Sequence, residues 1–325
     1  MKRSILIFLL TTTICFGQDR EKYLELIKDA HILYENREFE KSGKKYTAAF
    51  RAFGNQGEKR HRYKAACAWA LSRKVDSAYT QLYKITKHGS YADYKYITTD
   101  SNLHFLHQDK RWKEVIAFVI RNQKRKIEAD AKLDKPLVAL LDTIYKEDQN
   151  YRRQLRKISK KYGRKSDELK AHWKIIAKKD SLNVIEVSKI LNERGWLGAD
   201  IIGYKGNKAI FLVIQHSELE TQVKYLPMMR EAVKKGNAKA SSLALLEDRV
   251  ALRQGKRQIY GTQIHSDPKT REMFVAPLID PENVDRRRAE VGLGKLAEYI
   301  HHWKLTWDVE KHKARTAKIE AARKL

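Results

Sequence analysis

The chain has 325 residues, with 67 Lys and Arg against 40 Asp and Glu, and a formal net charge of +27. That length allows two domains, each with a real core. Two cysteines, one of them in the first fifteen residues, exclude a fold held by intrachain disulfides, and no apolar run is long enough to span a bilayer comfortably.

Residues 1–17 read as a secretory leader. Lys2 and Arg3 start it, Ile5 to Ile14 is apolar apart from Thr11 to Thr13, and Cys15-Phe16-Gly17 ends in small residues where cleavage needs them. Cleavage is expected before Gln18, giving an exported, periplasmic or secreted, soluble protein. Lipidation of Cys15 is the alternative, and Ile14 sits where a lipoprotein leader wants a small residue. Removal of the leader brings the charge to +25 and leaves Cys67 alone, within Ala65-Ala66-Cys67-Ala68, where it reads as a small core residue.

Outside the cytoplasm the anions at hand are lipid headgroups and envelope polysaccharides rather than nucleic acid. The basic residues are densest at Arg152-Arg153-Gln154-Leu155-Arg156-Lys157, at Lys160-Lys161 with Arg164-Lys165, and from Lys311 to Lys324. No nucleic-acid motif accompanies them, so no nucleic-acid partner is expected. A solvated helical surface is a plainer reading than a dedicated anion-binding face.

From Arg20 onward, apolar residues recur at Tyr23, Leu26, Ile27, Ala30, Leu33 and Tyr34, the spacing of one helix face. A break at Asn36-Arg37-Glu38 precedes a second helix carrying Phe39, Ser42, Tyr46, Ala49 and Phe50. The pattern resumes at Tyr63, Ala66, Cys67 and Ala70, breaks at Arg73-Lys74, and continues at Val75, Ala78, Leu82 and Ile85. Helix pairs repeated at roughly 35 residues stack to bury the face each leaves open. On Phe39, Ser42, Tyr46 and Ala49, and on Ala78 with Leu82, residues 18–120 resemble degenerate tetratricopeptide-like repeats, with Arg37 where glycine is usual. Asp100, Leu103, Leu106, Asp109, Arg111 and Trp112 resemble the close that follows such repeats in many bacterial proteins. The resemblance implies protein contact.

Residues 121–135 form a charged bridge, helix or linker, without aromatic residues. Pro136 opens a fresh apolar helix through Leu137, Leu140, Leu141, Ile144 and Tyr145, and a second domain is expected over 136–300. Helices are expected at Asp180 to Glu193, ending at Gly195, and at Ser241 to Arg253, closed by Gly255. Another is expected over Lys208 to Lys234, whose apolar start makes it the central one. Arg257 to Ile264 and Glu272 to Pro277 suggest a small β-hairpin across Ser266-Asp267-Pro268. Asn283 to Glu290 is a short helix and Lys295 to Lys324 a long basic one, with 301–325 set apart as a C-terminal helix. The fold class is therefore mainly α, helical repeats followed by a mostly helical domain with a possible hairpin.

Three polar clusters interrupt the second domain: Gln215-His216-Ser217-Glu218, Glu247-Asp248-Arg249 and Gln258 to Gln263. Polar groups among residues destined for burial need partners, so the three are expected to meet in space. With Glu147-Asp148-Gln149 and Arg152 or Arg153, Asp180 with Asn183, Gly195-Trp196, Asp248-Arg249-Val250, Tyr260-Gly261-Thr262-Gln263, and Pro281, Val284, Asp285, Arg287 and Arg288, they make a pattern. The domain resembles a bacterial family of domains of unknown function. Glu218 stands where that family has aspartate. The resemblance implies a known module and no particular reaction.

His216 is the sharpest candidate, as a proton shuttle or ligand, or else as a buried histidine held by a carboxylate such as Asp248. Arg249 suits a two-pronged anion contact or an internal ion pair with Asp148 or Asp285. The loop Tyr260-Gly261-Thr262-Gln263 suits ligand contact or a buried turn equally. Candidate catalytic residues are His216, Asp248 and Arg249; candidate binding residues are Asp148, Gln149, Gln215, Glu218, Tyr260, Thr262 and Gln263. There is no phosphate loop, nucleophile elbow or two-histidine zinc helix, and no metal or cofactor is expected. His216, Glu218 and His265 are the one conceivable metal set. Two functions compete. One is an exported module binding a protein or an anionic envelope component. The other is a hydrolase with His216 as general base, Asp248 orienting it, and Arg249 or Gln263 holding an anionic or carbonyl group.

Overall fold

The computed structural model describes residues 16–267 and 270–322. The leader's charged start and apolar run lie outside the described residues. The chain is mainly α and divides into two compact units, residues 1–131 and 132–325.

In the first unit, α1 (Phe16–Glu35) pairs with α2 (Phe39–Ala52), and α3 (Lys59–Leu71) pairs with α4 (Val75–Thr86). The two turns are the same structure 36 residues apart. Arg37 and Arg73 both adopt left-handed φ, 60° and 59°. Their N–H groups reach Tyr34 O and Ala70 O, while Glu38 and Lys74 donate to Leu33 O and Trp69 O. Each turn thus satisfies the carbonyls that its helix end leaves open. Gly43 on α2 is needed because a Cβ there would stand 2.6 Å from the Trp69 ring.

α5 (Tyr94–Thr99), a 3-10 turn (Ser101–Leu106) and α6 (Lys110–Ala131) close the unit. Asp100 caps the 3-10 turn through Asn102 N–H and accepts from the Tyr63 hydroxyl at 2.9 Å, while Leu103, Leu106 and Trp112 are buried. Cys67 is buried beside that carboxylate, and burial together with Asp100 pushes its thiol pKa up, which suits an inert core residue. The charged bridge is helical as far as Ala131, because α6 runs on without a break.

The second unit is built on α7 (Lys135–Tyr162), α8 (Asp167–Arg194), α9 (Ala199–His216, kinked at Gly203), α10 (Leu219–Lys234) and α11 (Ala240–Arg253). Asp134 caps α7 by accepting from Leu137 N–H, with Pro136 in the first turn. Leu141, Val187, Leu191, Ile202, Ile210, Ile214, Met229 and Leu246 make the core between these helices. α9 carries the most apolar stretch and lies against α7, α8, α10 and α11.

Four elements differ from the sequence expectation. The helix expected from Asp180 already starts at Asp167, because the Ser166 hydroxyl accepts from Leu169 N–H and caps it there. Lys208 to Lys234 is two helices, because Ser217 turns extended: its hydroxyl donates to Ile214 O and Gln222 Nε2 takes Gln215 O, so side chains satisfy the carbonyls that a continuous helix would have used. Ile264–Ser266 (β1) and Met273–Val275 (β2) pair, with Ile264 opposite Val275, and Gln258 makes a single bridge to Leu278; the rest of 257–263 leaves strand geometry to wrap a carboxylate described below. The long terminal helix is broken between α13 (Leu296–His301) and α14 (Val309–Ala322). There Leu305 and Trp307 leave helical register to pack on Val275, Leu278, Val284, Leu296 and Ile300. α12 (Val284–Glu290) follows a 3-10 turn at Pro281–Asn283.

Candidate functional site

The three polar clusters meet, and they divide into two networks. The first is assembled on α7, α8, α9 and α11. At the end of α9, His216 Nδ1 lies 2.8 Å from Asp148 Oδ1 on α7. A carboxylate only accepts, so Nδ1 carries the proton of this bond. Gln149 Nε2 donates to the other oxygen, Asp148 Oδ2, at 2.7 Å. Arg152 lies one turn on, 3.3 Å from Asp148 Oδ1, and grips Asp180 of α8 with two bonds of 2.9 and 2.7 Å. The Asp148 side chain is 1% exposed and the imidazole 19%. Burial alone would raise the Asp148 pKa. The hydrogen bond and charge of His216, with Gln149 and Arg152, outweigh it and hold the carboxyl below its ordinary range.

Gln215 points to a different helix from its neighbour His216, as adjacent helical positions must. Its Nε2 makes a long 3.4 Å contact with Leu245 O, and its Oε1 is buried without a partner. Arg249 comes up from α11 and donates through Nη1 to Gln215 O at 3.1 Å, which ties the first two clusters together. Among the described residues its buried Nε has no acceptor and no carboxylate pairs with it. Burial, then the charges of Arg253 and Arg152, push the Arg249 pKa down. Asn183, one turn from Asp180 on the buried side of α8, also has an unpartnered Nδ2. One half-buried imidazole, two unfilled donors and one unfilled acceptor therefore belong to neighbouring helices.

The second network holds the chain together. Asp248 is fully buried, and its carboxylate accepts main-chain N–H bonds from Ile259 (2.6 Å), Tyr260 (2.9 and 3.2 Å) and Thr262 (2.9 Å). Burial pushes its pKa up against these donors, which pull it down. Gln258 donates to Gln263 O and Ala276 O and accepts from Gln263 N–H, so its buried amide spans the loop. Arg288, also buried, donates to Tyr260 O and Gly294 O. The Tyr299 hydroxyl donates to Thr262 O, and the Gln263 amide to Thr262 Oγ1. This loop is a buried turn whose polar groups are used internally.

Gly261 sits at φ +70°, and a Cβ there would stand 3.0 Å from a Leu296 methyl. Gly261→Ala is expected to cost about 1–2 kcal/mol by urea unfolding; a neutral result would show that the loop is not tightly held.

Several sequence assignments change accordingly. His216 is oriented by Asp148, because Asp248 is already saturated by the loop. Arg249 pairs with neither Asp148 nor Asp285: Asp148 is occupied by His216 and Gln149, and Asp285 caps Leu296 N–H. Glu218 projects into solvent, 91% exposed, bonded to Arg253, and so does not join His216. The Ser217 hydroxyl is committed to Ile214 O. Asp180, Gln222, Arg253 and Tyr299 belong to the networks but were not among the candidates, and Asp180 with Asn183 had a signal in their three-residue spacing on one helix face. Among the described residues no group of His, Cys, Asp or Glu is gathered as for a metal. A cavity of about 680 Å³ lies elsewhere, between the hairpin and α14. No described helix is long and apolar enough to cross a membrane.

No curated protein and no solved structure matches the chain. A family model does match, over residues 131–311, more than half of the chain. That stretch contains both polar networks, from Asp148 to Tyr299, and the chain belongs to this family of unknown function, DUF6624.

Proposed function

We propose that the second unit binds an anionic group, carboxylate or phosphate, on an envelope component or a protein partner, at Arg249, beside Gln215 whose main-chain carbonyl it already holds. Arg249 carries the reading: its guanidinium is drawn out of water, keeps a buried Nε–H without an acceptor, and has two further arginines near it instead of a carboxylate. A buried unsatisfied charged donor is costly, and an incoming anion supplies the missing acceptor. In this reading the chain is exported after cleavage near Gly17 and Gln18. Its first unit is a tetratricopeptide-like protein-contact module, supported by the repeated turns at Arg37 and Arg73.

Inorganic phosphate and acetate are the test probes. Phosphate or acetate at tens of millimolar is expected to raise the melting temperature of the full chain by several degrees. Arg249→Gln is expected to abolish that shift while changing the unliganded stability by less than about 1 kcal/mol, since it removes one hydrogen bond. Equal shifts in both proteins would overturn the reading.

A second reading, hydrolysis, is favoured by the Asp148–His216 pair. Asp148 fixes the tautomer and leaves a partly exposed Nε2, the arrangement of a general base. With Ser217 committed to the main chain, the attacking group would be water activated at Nε2. His216→Gln would then remove turnover, and leave phosphate binding largely intact.

A further inference from the structure

α7 and α8 continue well past the core as a two-helix arm. Between Gln149 and Ile175 only His172 is buried, and the arm is zipped by a thin seam in which His172 Nε2 meets Tyr151 O at 2.8 Å. Fourteen residues of α7 lie beyond Asp148, roughly 21 Å of helix. Between Arg153 and Lys178 the arm carries ten lysines and arginines against Asp167 and Glu168. All ten are exposed, and apart from Lys170, which pairs with Asp167, they make no ion pair among the described residues. Lys160, Lys161, Arg164 and Lys165 flank Gly163 at the turn. Among these cations stand Trp173 (50% exposed), Tyr162 and Ile175.

We propose that this arm docks on an anionic phospholipid bilayer, tip first, through lipid phosphate groups. Like charges this dense repel one another along both helices, and an anionic surface relieves that repulsion. The apolar residues decide between polyanions. Trp and Tyr are the side chains that settle at a headgroup boundary, with an apolar ring and a polar edge. The cations run as one exposed stripe along each helix and gather at the turn between them. This surface is separate from the Arg249 site and does not depend on it.

Sedimentation of the full chain with vesicles of phosphatidylcholine containing 30% phosphatidylglycerol, against pure phosphatidylcholine, tests the proposal. Comparison between variants of the same chain cancels any contribution from residues 1–17. The quadruple change K160E/K161E/R164E/K165E is expected to lower partitioning onto anionic vesicles more than about 100-fold at 0.1 M salt, with an unchanged melting curve. W173A is expected to weaken what binding persists at 0.5 M salt several-fold. Equal partitioning of wild type and quadruple variant overturns the proposal. So does vesicle binding that is absent while a 30-base-pair duplex binds in a manner abolished by the quadruple change, which would make nucleic acid the partner.

Discussion

Asp248→Ala is expected to lower the unfolding free energy by about 3–5 kcal/mol. The carboxylate is the only acceptor for the main-chain N–H groups of Ile259, Tyr260 and Thr262 among the described residues. An alanine leaves all three buried donors unpaired, each at a cost of about 1–3 kcal/mol before relaxation. It also removes one of the negative charges, with those of Asp285 and Glu298, that act on Arg288, whose guanidinium is held inside by Gly294 O and Tyr260 O. Asp248→Asn keeps one accepting oxygen but turns an NH2 toward N–H donors, so a loss of about 2–3 kcal/mol is expected. Urea denaturation followed by circular dichroism measures both. A loss below about 1 kcal/mol for the alanine would mean that the loop folds without its carboxylate, and the separation of a fold-holding network from a functional one would fail.

Asp148→Asn is expected to cost about 3 kcal/mol at pH 7, and to do so in a pH-dependent way. The folded-state pKa of Asp148 lies below its unfolded value of about 3.9. A depressed carboxylate contributes stability that is complete above the unfolded value and lost as pH falls through the folded one. The gap between wild type and Asp148→Asn should therefore be full at neutral pH and narrow below about pH 4. Urea midpoints taken from pH 7 down to pH 3 would show it. A gap that stays constant across that range would mean that the Asp148–His216 pair is not ionic, and would remove the basis for His216 as an oriented base.

The sequence was most legible where a periodic pattern and a local signal agree. The helix pairs of the first unit follow from Tyr23, Ala30, Tyr46 and Ala49 at helical spacing, the start of α7 from Pro136, and the ends of α8 and α11 from Gly195 and Gly255. It was least legible at Ser217 and at Leu305 to Trp307. There, apolar composition favours continuing a helix, and the break is made by hydrogen bonds and packing with residues distant in sequence. The existence of a polar cluster was also legible, because Gln215, His216, Asp248 and Arg249 stand out from apolar surroundings.

The partners within that cluster were not. Asp148 and Asp248 are both acids on helix faces, and no local property says which one His216 will meet. The chain by itself determined the helical class, the presence of a basic segment around Lys160 and a set of polar residues that burial would force to pair. Only the tertiary structure decided that Asp248 belongs to the loop and Asp148 to the imidazole, that Arg249 lacks a counter-charge, and that the basic segment stands free of the core. The reason is physical: helix formation depends on residues three and four apart, whereas the pairing of buried polar groups depends on which helices pack together, and that is set by the whole core.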